Sequence, residues 1–322
     1  MITAIGKYFS TIAFHTHCLL KTSRMLKIPQ FDIDRSMWIE NNRLSGKKLA
    51  AEILQKIRMD IAASGMRPGL AAVLAGNDAA SNVYVNAKEK DAAENGLYSK
   101  VIRLNESVTQ EQLLAHIHDL NHDQDIHGIL VQLPLPSHLN SREILQAILP
   151  EKDADGFHFE NIGRLSAGEA GTIACTPLGV MVMLKQCGVP LSGKSCVVLG
   201  RSNIVGKPMA ALAIAENCTV TVCHSRTIDL EKYIRDADIL ISATGQRNLF
   251  DESIIPDKAI VIDVGMHREG KKLTGDLNFE KFANRVQFVT PVPGGVGPMT
   301  RAMLIWNTYN NAVKMKEAER YA

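Results

Sequence analysis

The chain has 322 residues, 46% of them hydrophobic and 22% charged, which predicts a soluble globular protein with a substantial core and room for two domains. Its formal net charge of +2 gives no strong electrostatic preference for nucleic acid or a membrane surface, so we expect neither as a partner. Six cysteines without a Cys-x-x-Cys pair indicate buried free thiols in a reducing compartment and argue against a zinc site or any other metal site.

Residues 1–38 differ in composition from the rest of the chain. No acidic residue precedes Asp32, basic residues are present, and the apolar stretches are interrupted before they could span a bilayer. The pattern resembles a weak transit peptide, but a bacterial start codon assigned too far upstream explains it equally well. We therefore treat residues 1–38 as an extension that is disordered or absent from the native protein. We expect a cytoplasmic location, or a mitochondrial one if the extension is a genuine transit peptide.

The first half of the globular region alternates between helix and strand. A helical apolar stripe runs from Leu49 to Ile61. Apolar strands are predicted at 70–75 and 127–133, and an alternating strand is predicted near 100–104. The last of these strands ends in a Pro-Leu-Pro sequence, which cannot continue a strand ladder. Such alternation is typical of a parallel sheet covered on both faces, so the predicted fold class is α/β.

The helix that follows the strand at 70–75 carries the first candidate site. Ser81 is predicted to be its N-cap and Gly96 its stop. Tyr84 and Lys88 are four residues apart and share a face of this helix, so the ring could stack on a flat substrate while the amine moves its protons. Taken alone, the segment also fits an ordinary amphipathic helix with a solvated lysine.

Two polar features follow the strand at 127–133. Gln132 lies at the carboxyl end of this apolar strand, where open α/β sheets bind ligands, although a purely structural glutamine would give the same pattern. The polar loop at 150–157 then contains Asp153 and Asp155. We predict that this loop marks the boundary between the two domains.

The second half of the chain has a nucleotide-binding pattern. Thr176 is predicted to be an N-cap followed by Pro177 at the first helical position, and Gly188 is predicted to end that helix. A buried strand at 196–199 runs into Gly200-Arg201-Ser202, and a helix starts at about Pro208. A strand, a glycine turn and a helix N-terminus together form an anion site from backbone N–H groups and the helix dipole. The glycine spacing is not Gly-x-Gly-x-x-Gly. The order of strand, turn and helix therefore indicates a nucleotide site more strongly than the glycine spacing does.

The next strand, at 219–223, is followed by the residues that indicate the cofactor. An NAD site usually has an acidic residue here, which binds the ribose 2′-hydroxyl, but this chain has Ser225 and Arg226. Hydroxyl and guanidinium groups, with Arg201 in the glycine turn, suit a 2′-phosphate. We therefore predict NADP rather than NAD; the alternative is that the two arginines are ordinary surface residues.

The remaining elements complete the second domain. Strands predicted at 238–243 and 259–264 lead to Gly245 and Gly265, where a cofactor could approach the main chain. The loop at 291–299 is too rich in proline and glycine for a strand or a helix. Thr300 is predicted to cap a final helix, 301–319, that reaches back to the first domain.

Five motifs occur in the order found in one known family: Tyr84-Val85-x-x-Lys88, residues 128–136, Lys152-Asp153-x-Asp155-Gly156, residues 200–208 and residues 291–300. From about residue 39 to its end, the chain resembles bifunctional methylenetetrahydrofolate dehydrogenase/methenyltetrahydrofolate cyclohydrolase. The resemblance implies two domains that flank a cleft, the second a Rossmann-type parallel-sheet domain that binds NADP. Residues 39–155 and 300–322 would form the folate-binding catalytic domain, and residues 156–299 the NADP-binding domain.

The resemblance also implies roles for individual residues. Lys88 would be the catalytic amine, Tyr84 the ring that stacks on the folate, Gln132 the hydrogen-bond partner of Lys88, and Asp155 the group that holds the amino edge of the pterin. The folate would also meet Ser81 and the proline-glycine loop at Pro293, Gly294 and Gly295. The NADP site would comprise Gly200, Arg201, Ser202, Ser225 and Arg226, with Thr176 nearby and Met266 beside the nicotinamide.

The implied reaction sequence is oxidation of 5,10-methylenetetrahydrofolate with NADP⁺, then hydrolysis of the methenyl product to 10-formyltetrahydrofolate, by a homodimer. A few residues depart from the family pattern. Met266-His267 replaces a common Ile-Asn pair beside the nicotinamide site, which puts cofactor affinity in question, and Arg301 replaces a small apolar residue.

Three other interpretations predict different residues. A non-catalytic dinucleotide-binding protein would be indicated by loss of Tyr84, Lys88 or Gln132, and all three are present. A shikimate-dehydrogenase-like reductase shares the two-domain plan but does not predict the loop at 291–300. A monofunctional dehydrogenase would be indicated by replacement of Lys88.

Overall fold

The computed structural model describes residues 25–270 and 272–321 and confirms the predicted α/β fold class with parallel sheets. The elements of the first part are β1 (Ile39–Glu40), β2 (Arg43–Leu44), α1 (Gly46–Ser64), β3 (Gly69–Ala75), α2 (Ala79–Glu94), β4 (Tyr98–Leu104), α3 (Gln110–His122), β5 (Gly128–Val131), α4 (Ser141–Gln146) and α5 (Phe159–Ser166). The elements of the second part are α6 (Cys175–Gln186), β6 (Ser195–Leu199), α7 (Gly206–Ala215), β7 (Thr219–Cys223), α8 (Leu230–Arg235), β8 (Ile239–Ser242), β9 (Ile260–Asp263), β10 (His267–Glu269), β11 (Lys272–Thr274), β12 (Phe288–Val289) and α9 (Val296–Tyr321).

The smaller main sheet is parallel and has the strand order β4-β3-β5. All seven residues of the central strand β3 are buried, which explains why it reads as a continuous apolar run in the sequence. Val73 of β3 pairs with Val131 of β5, and the backbone N–H of Gln132 donates to Val73 O at 2.9 Å. Because the two strands are parallel neighbours, Gln132 lies at the same sheet edge as the loop that leads into α2.

The larger sheet has the strand order β1-β2-β12-β9-β8-β6-β7, and its strands are parallel except at the β1–β2 pair. Strand β6 is flanked by β7 on one side and by β8 on the other. The chain therefore leaves β6 toward one edge of the sheet and later continues toward the other. Open α/β sheets bind ligands at this kind of switch point, outside the carboxyl ends of the strands.

Helix α9 connects the two sheets. It packs against α6 and α1 and also contacts α2, β3 and β5. Its buried residues belong to a core cluster that contains residues of both sheets. No helix within residues 25–270 and 272–321 is long and apolar enough to cross a membrane. The cysteines of these ranges are unpaired, and Cys18 lies outside the described residues.

Residues 25–38 differ from the prediction, since they pack against the rest of the protein. Phe31 is 9% exposed and its ring meets that of Trp306 edge to face, with 5.4 Å between the centroids. Arg35 Nη1 donates to Cys187 O at 2.9 Å, and Gln186 Nε2 donates to Phe31 O. Trp38 is fully buried. Residues 1–24, the rest of the predicted extension, lie outside the described residues.

Residues 39–44 also differ from the predicted domain plan. Although they were expected in the folate-binding part, β1 and β2 form a hairpin that joins the larger sheet, where Arg43 of β2 pairs with Val289 of β12. Strands of two residues are too short to show an alternating pattern, so their existence depends on the partner strand rather than on their own sequence.

The predicted N-cap of α2 is wrong. The helix begins at Ala79, and Asp78 is its N-cap, because the Asp78 carboxylate accepts from the backbone N–H of Ser81 at 2.7 Å. Ser81 therefore lies inside the first turn and is 2% exposed. The predicted end of the helix is close to the observed one: Asn95 is the C-cap, and Gly96 follows with φ of +83°.

Two further predicted N-caps are also wrong, because each helix begins before the predicted cap residue. Helix α6 begins at Cys175 with Ala174 as its N-cap, and α9 begins at Val296, so Thr176 and Thr300 both lie inside helices. Their hydroxyl oxygens are 2.9 Å apart and bond each other across the two helices. These side chains join α6 to α9 and do not cap a helix.

Candidate active site

The amine of Lys88 is held by Gln132. Lys88 Nζ donates to Gln132 Oε1 at 3.1 Å, and Gln132 Nε2 donates to Leu133 O at 2.7 Å. The second bond fixes which end of the amide faces the lysine. The contact forms because α2 follows β3, and β3 is the direct neighbour of β5, which ends just before Gln132.

Asp155 lies on a loop that a second aspartate holds in shape. The Asp153 carboxylate accepts from the backbone N–H groups of Gly156 and His158 at 3.0 and 2.8 Å and from Asn161 Nδ2 at 2.9 Å. Burial raises the pKa of the Asp155 carboxyl, and the positive charge of Lys88 opposes that rise. The structure therefore puts Asp155 within electrostatic reach of the Lys88 amine.

Tyr84 lies on the same face of α2 and contacts the other half of the molecule. Its side chain is 39% exposed, and its hydroxyl donates to Met266 Sδ at 3.2 Å. Met266 follows β9 of the larger sheet and is 53% exposed. The tyrosine and the methionine thus mark the two sides of a cleft between the sheets.

The proline-glycine loop is held against the start of α1. The backbone N–H of Lys47 donates to Gly294 O at 2.9 Å, and Gly294 has φ of +101°. A Cβ atom on Gly46 would lie 1.9 Å from Gly295 O, so only glycine permits this approach. Pro293 remains exposed beside these residues.

A pocket of about 380 Å³ lies at the carboxyl ends of β6, β7 and β8, at the switch point of the larger sheet. Four of the residues predicted to bind the cofactor line it, namely Gly200, Arg201, Ser202 and Ser225. Three others do not: Arg226 is exposed beside the pocket, Thr176 bonds Thr300, and Met266 faces Tyr84.

The pocket fits an anionic dinucleotide. Gly200 has φ of +115°, and a Cβ there would lie 2.3 Å from Ala243 O, so this turn at the pocket requires glycine. Ser202 Oγ accepts from the backbone N–H groups of Val205 and Gly206 at the start of α7. The lining residues include no carboxylate side chain, whereas Arg201 supplies a positive charge. A ribose phosphate therefore meets attraction rather than repulsion.

Several residues that line the pocket were not predicted to bind the cofactor. His224, Thr227, Thr244 and Gln246 all line the pocket. Their position directly after β7 and β8, close to Ser225 and Gly245, is the one sequence feature that points to them. Thr227 Oγ1 accepts from the backbone N–H of His224 at 2.8 Å, and this bond shapes the turn after β7.

Comparison with known proteins identifies the family. Residues 44–155 match the family model of the tetrahydrofolate dehydrogenase/cyclohydrolase catalytic domain, and residues 174–316 match that of the NAD(P)-binding domain. The chain belongs to this family. The tetrahydrofolate dehydrogenase/cyclohydrolase models cover more than half of its residues, and the resemblance inferred from the five sequence motifs is confirmed.

Individual members of the family are similar over nearly their whole length. The bifunctional protein FolD of Geotalea daltonii is 51% identical over 273 residues, which is 84% of this chain and 98% of that protein. The crystal structure of FolD from Campylobacter jejuni has a TM-score of 0.82 at 46% identity and covers 84% of this chain and 98% of its own. FolD from Trypanosoma brucei, solved with NADP cofactor and an inhibitor, has a TM-score of 0.81 at 38% identity over 85% of this chain and 97% of its own.

Proposed function

We propose that this protein oxidises 5,10-methylenetetrahydrofolate to 5,10-methenyltetrahydrofolate with NADP⁺ and then hydrolyses the product to 10-formyltetrahydrofolate. The observation that carries the proposal is the Lys88–Gln132 hydrogen bond, which lies on one side of a cleft whose other side belongs to the sheet with the dinucleotide pocket. Membership of the tetrahydrofolate dehydrogenase/cyclohydrolase family supports both activities.

The two steps make different demands on the side chains. In the first, NADP⁺ supplies the hydride acceptor, so the protein has to position and shield the reactants. In the second, water adds to the cationic carbon between two nitrogens and releases one proton. The bond from this carbon to the ring nitrogen then breaks, the formyl group stays on the other nitrogen, and the second water proton moves to the ring nitrogen. Lys88 Nζ is the group that handles this proton, and Gln132 Oε1 fixes its position through the 3.1 Å hydrogen bond.

We assign the remaining folate contacts to groups on the same side of the cleft. The exposed ring of Tyr84 offers a face on which the pterin can stack. Asp155 accepts from the amino edge of the pterin, where its carboxylate is compatible with the nearby Lys88 charge. Ser81 lies one turn before Tyr84 on α2, and the loop at Pro293, Gly294 and Gly295 covers the benzoate part of the folate.

The cofactor contacts belong to the other side of the cleft. We assign the phosphates to the main chain of Gly200, Arg201 and Ser202 at the start of α7, and the 2′-phosphate to Ser225 with Arg201. Three of the predicted cofactor residues lie outside the pocket. Arg226 acts from outside the pocket, Thr176 supports the cleft through Thr300, and Met266 lies where the nicotinamide meets the folate.

The division into domains and the assembly are part of the same proposal. We infer a catalytic domain from the end of β2 to about residue 155 together with α9, and a dinucleotide domain between them that also includes β1 and β2. We further propose a cytoplasmic homodimer that acts on small folates and has no nucleic acid or membrane partner. The small net charge of +2 supports the last point.

The proposed role of Lys88 is tested with Lys88→Met and a matched control, Lys90→Met. Lys90 lies on the same helix, is exposed and forms an ion pair with Glu94. Lys88→Met should lower the rate of methenyltetrahydrofolate hydrolysis by about 10²- to 10⁴-fold, the usual contribution of a general acid–base group. Oxidation of methylenetetrahydrofolate should remain measurable, and Lys90→Met should hydrolyse like the wild type. Unchanged hydrolysis in Lys88→Met would contradict the assignment.

The proposed cofactor preference is tested by comparing kcat/KM for NADP⁺ and NAD⁺ in the wild type and in Arg201→Ala. Loss of a charge-assisted contact to the 2′-phosphate should lower kcat/KM for NADP⁺ by about 10-fold or more and leave the value for NAD⁺ nearly unchanged. A wild-type preference for NAD⁺ would overturn the assignment.

A further inference from the structure

One buried carboxylate outside the assigned site makes an unusually large number of hydrogen bonds. Asp276 is 2% exposed. Its Oδ2 accepts from Ser242 Oγ at 3.1 Å, from both the backbone N–H and the hydroxyl of Thr244 at 2.9 and 3.0 Å, and from the Gly245 N–H at 3.1 Å. Its Oδ1 lies 2.8 Å from His267 Nε2, which donates to it. A single side chain thus binds the turn after β8 and, through His267, the start of β10 directly after the turn that follows β9.

Both of these turns face the cleft. The turn after β8 contains Thr244, which lines the dinucleotide pocket. The turn after β9 contains Met266, directly before His267, and the Met266 thioether accepts from the Tyr84 hydroxyl at 3.2 Å. Asp276 therefore connects a wall of the pocket to the point where the larger sheet meets the catalytic helix α2.

A second buried carboxylate fixes the backbone of Asp276 itself. Asp263, at the end of β9, accepts from the backbone N–H groups of Gly265, Asp276 and Leu277 at 2.9, 3.0 and 2.9 Å. A Cβ on Gly265 would lie 2.1 Å from Asp276 Oδ1, and one on Gly275 would lie 2.0 Å from Asp263 Oδ2. The packing leaves the Asp276 carboxylate no room to move, so the spacing of the two turns is set by its hydrogen bonds.

We propose that Asp276, with His267 as its donor, is a positioning residue for the dinucleotide. It holds the turns after β8 and β9 at a fixed spacing, so that a cofactor bound in the pocket presents its reactive end at Met266, opposite Tyr84. The inference rests on the proposed function. It assigns Asp276 no contact with the folate and no part in hydrolysis, whose groups lie on α2, β5 and the loop at Asp155.

The first test is Asp276→Asn. An amide of the same size offers one acceptor oxygen where the carboxylate offers two. Its NH₂ group therefore faces either the N–H and O–H donors around Oδ2 or His267 Nε2, which must then change tautomer to accept. Loss of charge-assisted bonds of this kind should weaken NADP⁺ binding by about 10- to 100-fold, measured as the Kd by titration calorimetry and as the KM in methylene oxidation. Hydrolysis of methenyltetrahydrofolate, assayed without cofactor, should change by less than about twofold, because no hydrogen bond of Lys88 or Gln132 is altered.

The second test uses His267, whose side chain is 24% exposed and whose replacement leaves the core intact. His267→Ala removes the donor to Asp276 and should raise the Kd for NADP⁺ about 3- to 10-fold. His267→Asn retains a donor and should stay within about twofold of the wild type.

Three outcomes would overturn the inference. The first is an unchanged Kd for NADP⁺ in Asp276→Asn, and the second is an equal fall in the hydrolysis and oxidation rates of that variant. The third is a His267→Asn variant that binds NADP⁺ no more tightly than His267→Ala. A wild-type protein that lacked both activities would instead overturn the proposed function. The binding titration does not depend on turnover, so the two failures are distinguishable.

Discussion

The ion pair between Arg301 and Asp91 provides a sharp test of how α9 is joined to the catalytic helix. Asp91 lies three residues after Lys88 on α2, and Arg301 lies in α9 just after the proline-glycine loop. Arg301 Nη1 is 3.2 Å from Asp91 Oδ2, and the two side chains are 40% and 17% exposed. Burial raises the pKa of Asp91, and the charge of Arg301 opposes that rise. The arginine, which the sequence left unexplained, thus compensates a half-buried carboxylate.

Arg301→Ala should destabilise the protein by about 1–2 kcal/mol at neutral pH. Breaking a fully buried pair costs about 3–5 kcal/mol, and the exposure of Arg301 reduces that figure. The pKa of Asp91 in the folded state lies above its ordinary value of 3.8, so ionising it costs stability as the pH rises through the folded pKa. Without Arg301 that pKa rises further, and the cost at neutral pH grows. Below the ordinary value both states are protonated, and the effect should disappear.

The measurement is urea unfolding of the wild type, Arg301→Ala, Asp91→Asn and the double variant, at neutral pH and at about pH 3, below the ordinary pKa of an aspartate. At neutral pH the double variant should be more stable than Arg301→Ala, because the amide removes the uncompensated charge. Equal destabilisation by Arg301→Ala at both pH values, or strictly additive effects in the double variant, would refute the reasoning.

Two further predictions concern other parts of the structure. Phe31→Ala should lower the free energy of unfolding by about 3 kcal/mol in urea, because the ring is 9% exposed and packs on Trp306, whereas the hydrolysis rate should not change; an unaltered stability would show that the Phe31 ring contributes nothing. Burial raises the pKa of Asp263 from 3.8 to about 6, so its contribution to stability should fall by about 3 kcal/mol as the pH rises through that window. Asp263→Asn should remove this part of the pH dependence in thermal unfolding, and a retained slope would contradict the assignment to Asp263.

The buried parallel strands could be predicted from the sequence to within one or two residues. Strands β3, β6, β8 and β9 are covered on both faces, so each reads as an apolar run, and β7 was predicted with its observed bounds. Strands β1, β2, β10 and β11 were missed. Each has two or three residues and exists because of its partner, which local periodicity cannot reveal.

The helix starts show a different limit. Ser81, Thr176 and Thr300 are residue types that favour N-caps, but each hydroxyl residue lies inside a helix. Asp78 caps α2 in place of Ser81, and the two threonines bond each other instead. Propensity indicates which residues can cap a helix, whereas the path of the backbone decides which one does.

The site was predictable where neighbouring strands bring its parts together. Lys88 and Gln132 meet because β3 and β5 are adjacent and parallel, an arrangement that short helical connections favour. Asp276 was not predictable in the same way. It lies 32 residues after Thr244 in the sequence, and no motif joins the two. The contact of Tyr84 with Met266 joins residues 182 positions apart in the sequence.

That contact also bears on how the two activities share one cleft. The groups assigned to hydrolysis lie on α2, β5 and the loop at Asp155, and those assigned to the cofactor lie on the larger sheet. Tyr84 and Met266 are where the two sets touch. A thioether sulfur is a weak hydrogen-bond acceptor, so the bond costs little to break. In the proposed arrangement, a folate stacked on Tyr84 would displace Met266, and the nicotinamide would approach from the side of the larger sheet. Loss of the Tyr84 hydroxyl should accordingly matter less than loss of its ring.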